Sequence, residues 1–406
     1  MPRRDSHPSA PATEARTGPP LDAGAHASTH GARRGRGATY NPDNRYHAER
    51  REAFDDGWAA APRDPRPDTA GDSAAVEACP DTANAGRQFR TTVAIQPART
   101  IVTRNASPDI PFTQSINPYQ GCEHGCVYCY ARPSHAYLDH SPGLDFETKL
   151  YAKPDAAKLL RDELSRPGYA CDPIALGTNT DPYQPIERDW RITRSILEVF
   201  AETSHPYSIV TKNALVLRDL DLIAPMARRG LARVCLSVTT LDADLARRME
   251  PRASAPARRI AALRELARSG VPAGVMVAPV IPQLNDREIE SILEAAGAAG
   301  ATSAGWIMLR LPREVAPLFR DWLETHYRDR AGHVMNIVHD LRDGRDYRAR
   351  FGERMRGLGP YADLIARRFE LACARLGLKG DREREPLDRS QFRPPARDGG
   401  RQASLF

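Results

Sequence analysis

From Thr91 to Arg310 the chain alternates short apolar, β-prone runs with amphipathic stretches of helical period. The runs INPYQG (116–121), PIALGT (173–178), YSIVTK (207–212), RVCLSVT (233–239), AGVMVAPVI (273–281) and SAGWIMLR (303–310) read as strands. Between them lie KPDAAKLLRDELSR, RITRSILEVFAET, RDLDLIAPMARRG, ARRIAALRELARSG and DREIESILEAAGAAG, which read as helices, and Gly270 is placed to cap one of them. Strands followed by helices of about 10–15 residues require right-handed βαβ crossovers and a parallel sheet. Six such units build either an open doubly wound sheet or an incomplete barrel, and the pattern leaves both open.

The flanks differ. Residues 1–94 are rich in Ala, Pro, Arg, Asp and Gly without a sustained period, so they are expected to form a mostly disordered extension. Within them RYHAERREAFDDGW (45–58) reads as a short helix whose Phe54 and Trp58 dock on the main domain. Residues 95–310 form the βα domain. Residues 311–385 carry amphipathic helices that pack on it, and residues 386–406 form a flexible tail. Over 406 residues the net charge is +6, which permits an anionic partner without demanding one. No apolar run reaches the ~18–20 residues that span a bilayer, and the N-terminus lacks the apolar core of a secretory signal. The expected location is the cytoplasm, with no membrane contact.

Seven cysteines are present, and three fall within eight residues: Cys122, Cys126 and Cys129, spaced C-x3-C-x2-C in SINPYQGCEHGCVYCYARP (115–133). Thiolates are soft ligands that favour Fe–S clusters, zinc or copper(I). A structural zinc site wants four ligands, and only His124 or His135 is at hand to complete one. A redox C-x-x-C pair would leave Cys122 unexplained. A cluster held by three cysteines leaves one iron open to a ligand. Gly121 and Gly125 let the loop approach such a core closely.

With an aromatic residue before the last cysteine and a βα series behind it, this motif resembles the radical S-adenosylmethionine (SAM) signature over roughly residues 95–385. The resemblance implies a partial (β/α)6 barrel, a [4Fe–4S] cluster on the three cysteines, and SAM chelated at the open iron. It also implies cleavage of SAM to a 5′-deoxyadenosyl radical that abstracts hydrogen from a substrate, and an electron donor such as flavodoxin or ferredoxin. The wider phrase SINPYQGC-x3-C-x-YCYARP is similar to the spore photoproduct lyase branch, often termed DNA-repair photolyase-like, and TNTDPYQPIE with the long extension resembles a bacterial subgroup of it.

Further candidates sit at carboxyl ends of strands, where βα folds place their sites. By the resemblance, Lys212 neutralises the SAM carboxylate. Ser237 and Thr239 bond the ribose hydroxyls, Thr178 the methionine moiety, and Met308 and Leu309 pack the adenine. For each the plainer reading is a surface lysine, a strand-end cap or barrel core. Tyr128 and Tyr130 resemble parts of a hydrogen-atom relay. That relay also uses a strand-two cysteine, where this chain has Gly177 and Thr178, so the substrate is expected to differ from a thymine photoproduct. Asp181 and Glu187 bracket two prolines and read either as substrate contacts or as turn-stabilising groups.

The chain ends QASLF, similar to peptides that bind bacterial sliding clamps, with Gln402, Leu405 and Phe406 as the matching anchors. DNA or another nucleic acid is the implied substrate. The rival readings are a radical enzyme acting on a protein or small metabolite, and a non-enzymatic Fe–S or clamp-associated protein.

Overall fold

The computed structural model describes residues 31–47, 90–380 and 383–395. Its first strands are β1 (Thr92–Ile95), β2 (Val102–Arg104), β3 (Gln114–Ile116), β4 (Tyr119–Gln120) and β5 (Lys149–Ala152). They are followed by β6 (Ile174–Leu176), β7 (Tyr207–Thr211), β8 (Ala232–Ser237), β9 (Ala273–Val280) and β10 (Ser303–Met308). The main sheet runs β10-β9-β8-β7-β6-β3-β2. Its six strands β3 and β6 to β10 are mutually parallel, and β2 is antiparallel at one edge. Since β10 and β2 stand at opposite ends, the sheet does not close, and the six βα units make a partial barrel.

Burial explains the strand sequences. All three residues of β6 are buried, as are five of the six in β8. A strand covered on both faces is a continuous apolar run rather than an alternating one. The helices present one apolar stripe to this sheet: in Ile192–Thr203 the buried set is Ile192, Ile196, Leu197, Val199 and Phe200. The helix Pro256–Arg268 starts on a proline, whose missing N–H is an orphan there anyway, and stops where Gly270 takes φ +74°. Among the described residues no helix is long and apolar enough to cross a membrane.

Three features depart from the sequence reading. INPYQG is not one strand: Ile116 ends β3, and beyond Pro118 the residues Tyr119–Gln120 pair instead with β5, in a small sheet of order β1-β5-β4. Residues 31–47 of the expected disordered extension pack on the βα domain, burying Arg36, Ala38, Thr39 and Asn44. Residues 386–395 of the expected flexible tail also dock. There the Arg393 N–H donates to Thr203 O at 2.8 Å, and the Phe392 ring meets Tyr169 and His205. Phe54, Trp58, Cys79 and the clamp-like Gln402, Leu405 and Phe406 lie outside the described residues.

Candidate iron–sulfur and S-adenosylmethionine site

The cysteine loop follows β4 directly. It is folded by successive tight turns: Gly125 N–H donates to Cys122 O, Cys129 N–H to Cys126 O, and Arg132 N–H to Cys129 O. Two bonds fix it to its surroundings, from Cys122 N–H to Phe146 O at 2.9 Å and from Val127 N–H to Met249 O at 3.1 Å. Cys122 and Cys126 are buried, Cys129 is half-buried, and all three are free thiols. They lie close enough to feel one another. Burial first, then the Asp181 carboxylate and the other two sulfurs, push the Cys122 thiol well above its ordinary value. Burial and Glu250 push Cys126 up to about 12, against the opposing pull of Lys212. Such thiols are protonated when bare and give up their protons only to a metal centre. Among the described residues no three His, Cys, Asp or Glu side chains converge on a single-ion site. Three soft donors set apart on one loop suit a cluster, in which each thiolate takes its own iron.

The loop is braced from behind by Arg132. This fully buried guanidinium donates to Cys126 O at 2.9 Å, Gly125 O at 3.2 Å and Gly143 O at 2.9 Å, and pairs with Glu147. Glu147, also fully buried, turns its carboxylate as well to the docked segment 31–47, the N-terminal strap. It accepts from Gly37 N–H at 3.1 Å and Ala38 N–H at 2.8 Å. The strap backbone passes so near the loop that a Cβ on Gly37 would lie 1.8 Å from Gly125 O. Only glycine fits there.

Inside the barrel mouth Tyr128 is buried, and its hydroxyl donates to Glu250. Thr239 donates to the same carboxylate at 2.6 Å, and the buried Arg259 pairs with its other oxygen. Burial opposes the charge of Glu250, yet Arg259, Lys212 and these hydroxyls hold its carboxyl down to about 2. The Lys212 ammonium lies 5.8 Å from the centre of the Tyr128 ring, at the end of β7. Its backbone N–H donates to Asp181 at 2.7 Å, and Thr211 donates to the other oxygen of Asp181 at 2.6 Å. Asp181 thus ties its own loop to β7, and is held at about 2 despite its burial by His124, Thr211 and the Lys212 N–H. Glu187 is likewise internal, accepting from Arg218 and from Thr193 N–H.

The remaining candidates distribute as follows. Ser237, at the end of β8, is buried and its hydroxyl makes no hydrogen bond among the described residues. Thr178 accepts from Asn117 Nδ2 at 3.4 Å, and its carbonyl accepts from the hydroxyl of Tyr130. Tyr130 is 44% exposed and stretches across the mouth toward Thr178. Met308 and Leu309 are fully buried, in two separate core clusters. At Gly177 φ is +87° and a Cβ would meet Val210 O at 2.0 Å. A side chain there is therefore excluded by the backbone itself. Arg132, Glu147, Glu250 and Arg259 were not singled out from the sequence. The only local signal is Arg132, three residues past the last cysteine in the phrase YARP.

Residues 116–296 match the Radical SAM superfamily. The chain is similar to the uncharacterized protein Rv2578c of Mycobacterium tuberculosis, 40% identical over 216 residues, which are 53% of this chain and 64% of that protein. It is also similar to the uncharacterized protein MJ0683 of Methanocaldococcus jannaschii, 30% identical over 173 residues, covering 43% of this chain and 62% of that one. The chain thus spans less than two thirds of the length of these relatives. Among solved structures it resembles spore photoproduct lyase complexed with dinucleoside spore photoproduct. That likeness has a TM-score of 0.51 and 17% identity, covers 71% of this chain and 80% of the lyase, and is one of fold. The cysteine loop, the parallel strands behind it and the matched stretch agree: residues 116–296 of this chain carry the pattern of the radical SAM superfamily, whose cofactors are a [4Fe–4S] cluster and S-adenosylmethionine.

Proposed function

We propose that this chain is a radical SAM enzyme that draws a hydrogen atom from a nucleic-acid substrate. The observation that carries the reading is the placement of three free thiols on one braced loop at the carboxyl end of an incomplete parallel barrel. When bound, the cluster supplies the electron that splits SAM into methionine and a 5′-deoxyadenosyl radical.

The chain's own groups divide the remaining work. Cys122, Cys126 and Cys129 hold the cluster. Lys212, a point charge at a strand end, neutralises the SAM carboxylate. Thr178 lies beside the methionine part and Ser237, with its uncommitted hydroxyl, beside the ribose. Thr239 already serves Glu250 and Ala278 O, so its part is to orient that network. Met308 and Leu309 give the end of β10 the apolar character an adenine ring prefers. Tyr128 is sequestered with its hydroxyl on Glu250, whereas Tyr130 is exposed enough to meet substrate and stands as the hydrogen-atom relay.

Nucleic acid is favoured by the segment after the barrel. Residues 342–356 contain six arginines against three acidic residues, interleaved with Tyr347 and Phe351; Arg348, Arg350 and Arg354 stand in ion pairs, Arg342 is buried, and Phe351 is 53% exposed. Arginines that track phosphates beside aromatic rings that stack on bases are the usual furniture of single-strand binding. Met355 O accepts from Met308 N–H at 2.9 Å, which fixes this segment at the end of β10. The lyase of similar fold is complexed with a dinucleoside photoproduct.

The test is anaerobic reconstitution with iron and sulfide, then reduction in the presence of SAM. Deoxyadenosine should form, and Cys122→Ala should abolish it. A fully loaded protein that leaves SAM intact would sink the proposal. Transfer of deuterium from labelled oligonucleotide into deoxyadenosine tests the substrate class.

A further inference from the structure

Beyond Met308, β10 delivers Arg310 to the barrel mouth. Its guanidinium stands 4.7 Å from the centre of the Tyr130 ring and 5.7 Å from that of Tyr347. One amino group donates to Tyr347 Oη at 3.1 Å, the other to Met355 Sδ at 3.5 Å, a weak acceptor, and the buried Nε has no acceptor. Next to it lies Arg342, 1% exposed, which donates to Glu353 O and Leu309 O and also leaves its buried Nε without an acceptor. Among the described residues neither arginine has a carboxylate within ion-pair reach. Elsewhere the buried arginines do: Arg132 pairs with Glu147 and Arg259 with Glu250, and nearby Arg354 with Asp109 at 2.6 Å.

Two adjacent guanidinium groups, one fully buried, repel each other in a medium of low dielectric. Burial and the charge of Arg310 together bring Arg342 down to about 10. Among the described residues no carboxylate offsets this charge, so an incoming anion would. Both Nε atoms are buried, so the donors for it are the remaining N–H groups on the two amino nitrogens of the part-exposed Arg310. The planar fork suits the paired oxygens of phosphate or carboxylate, and the Tyr130 and Tyr347 rings flank the seat.

We propose that Arg310, backed by Arg342, seats an anionic oxygen pair of the substrate beside Tyr130, and that in the nucleic-acid reading given above, on which this identification rests, the pair belongs to a phosphodiester. The same chemistry is offered by inorganic phosphate and by the carboxylate of SAM.

The test uses reconstituted, anaerobic holoprotein and its Arg310→Gln and Arg310→Lys variants, with unchanged thermal unfolding as the check on folding. A fluorescein-labelled single-stranded oligonucleotide is followed by anisotropy, inorganic phosphate by calorimetry and SAM by equilibrium dialysis. Arg310→Gln should weaken the oligonucleotide by about tenfold or more and lower the slope of log K against log salt by about 1. Arg310→Lys should recover part of the affinity, and SAM binding should stay as in the wild type. If wild type binds phosphate but not oligonucleotide, and Arg310→Gln loses phosphate, the anion seat stands and the nucleic-acid reading falls. If Arg310→Gln loses SAM instead, the seat belongs to the cofactor and the proposal is overturned. Unchanged binding of oligonucleotide and phosphate in Arg310→Gln overturns it as well.

Discussion

Arg132 and Glu147 form an ion pair 2.5 Å long with neither side chain exposed to solvent, and through it the cysteine loop is tied to the N-terminal strap. Removing one member of such a pair strands a buried charge. Glu147→Gln should therefore destabilise the protein by about 3–5 kcal/mol. Thermal unfolding of the apoprotein measures this, and iron retained per chain after reconstitution should fall in parallel. An unchanged melting temperature would show that the pair is dispensable.

Gly37→Ala should release the strap. The added methyl would lie 1.8 Å from Gly125 O, and a backbone atom cannot step aside. Trypsin should then cut at Arg33, Arg34, Arg36 or Arg45 faster than in wild type, since local opening exposes those bonds. Gly31→Ala, where a Cβ meets nothing within 4 Å, serves as the control and should leave the cleavage rate unchanged.

Acid should weaken the fold through His205. Its Nδ1 lies 3.0 Å from Pro206 O, which can only accept, so that nitrogen carries the proton, and Nε2 lies 2.8 Å from the Tyr169 hydroxyl. Burial holds this imidazole neutral and brings its pKa down to about 4 from 6.5. Since the folded value is the lower one, the unfolded chain takes the proton first. Stability is full above pH 6.5 and is lost as pH falls toward 4, by about 3 kcal/mol in total. Urea titrations across that interval should show the loss, and His205→Phe should flatten it. An equally steep profile in the variant would assign it to other groups.

Lys212→Gln should raise the dissociation constant for SAM about tenfold, the loss of one charge-assisted contact. The tie from its backbone to Asp181 survives the substitution, so the chain should still fold, with a small loss of stability from the charge withdrawn from Glu250. Equilibrium dialysis on reconstituted protein checks this. Wild-type affinity in the variant would place the SAM carboxylate elsewhere.

Much of the frame was legible because it is written in local periods. Each of the five strands β6 to β10 carries its own apolar pattern, and the cysteine spacing falls within eight residues. What escaped was long-range or carried by backbone. The bond from Gly37 to Glu147 spans 110 positions, and nothing around Gly37 announces it. Glu250 and Arg259 belong to no motif in the sequence, and only the fold brings them together as a buried pair. Pro118 marks where INPYQG breaks, but the partner that claims Tyr119 and Gln120 lies in β5, a strand whose four residues are too few to stand out. That residue 177 is glycine was visible in the sequence, but the Val210 carbonyl that leaves no room for a side chain there was not.

Contact between Gly37 and Gly125 has one more consequence. Because the strap rests on the same turn that carries Cys122, Cys126 and Cys129, seating the strap and loading the iron are linked equilibria. Whatever free energy the closed strap lends to cluster retention, the cluster returns in equal measure to strap closure. Oxidative loss of iron should therefore loosen a segment of chain that touches no metal, so that cofactor occupancy is readable from outside as susceptibility of the strap to cleavage.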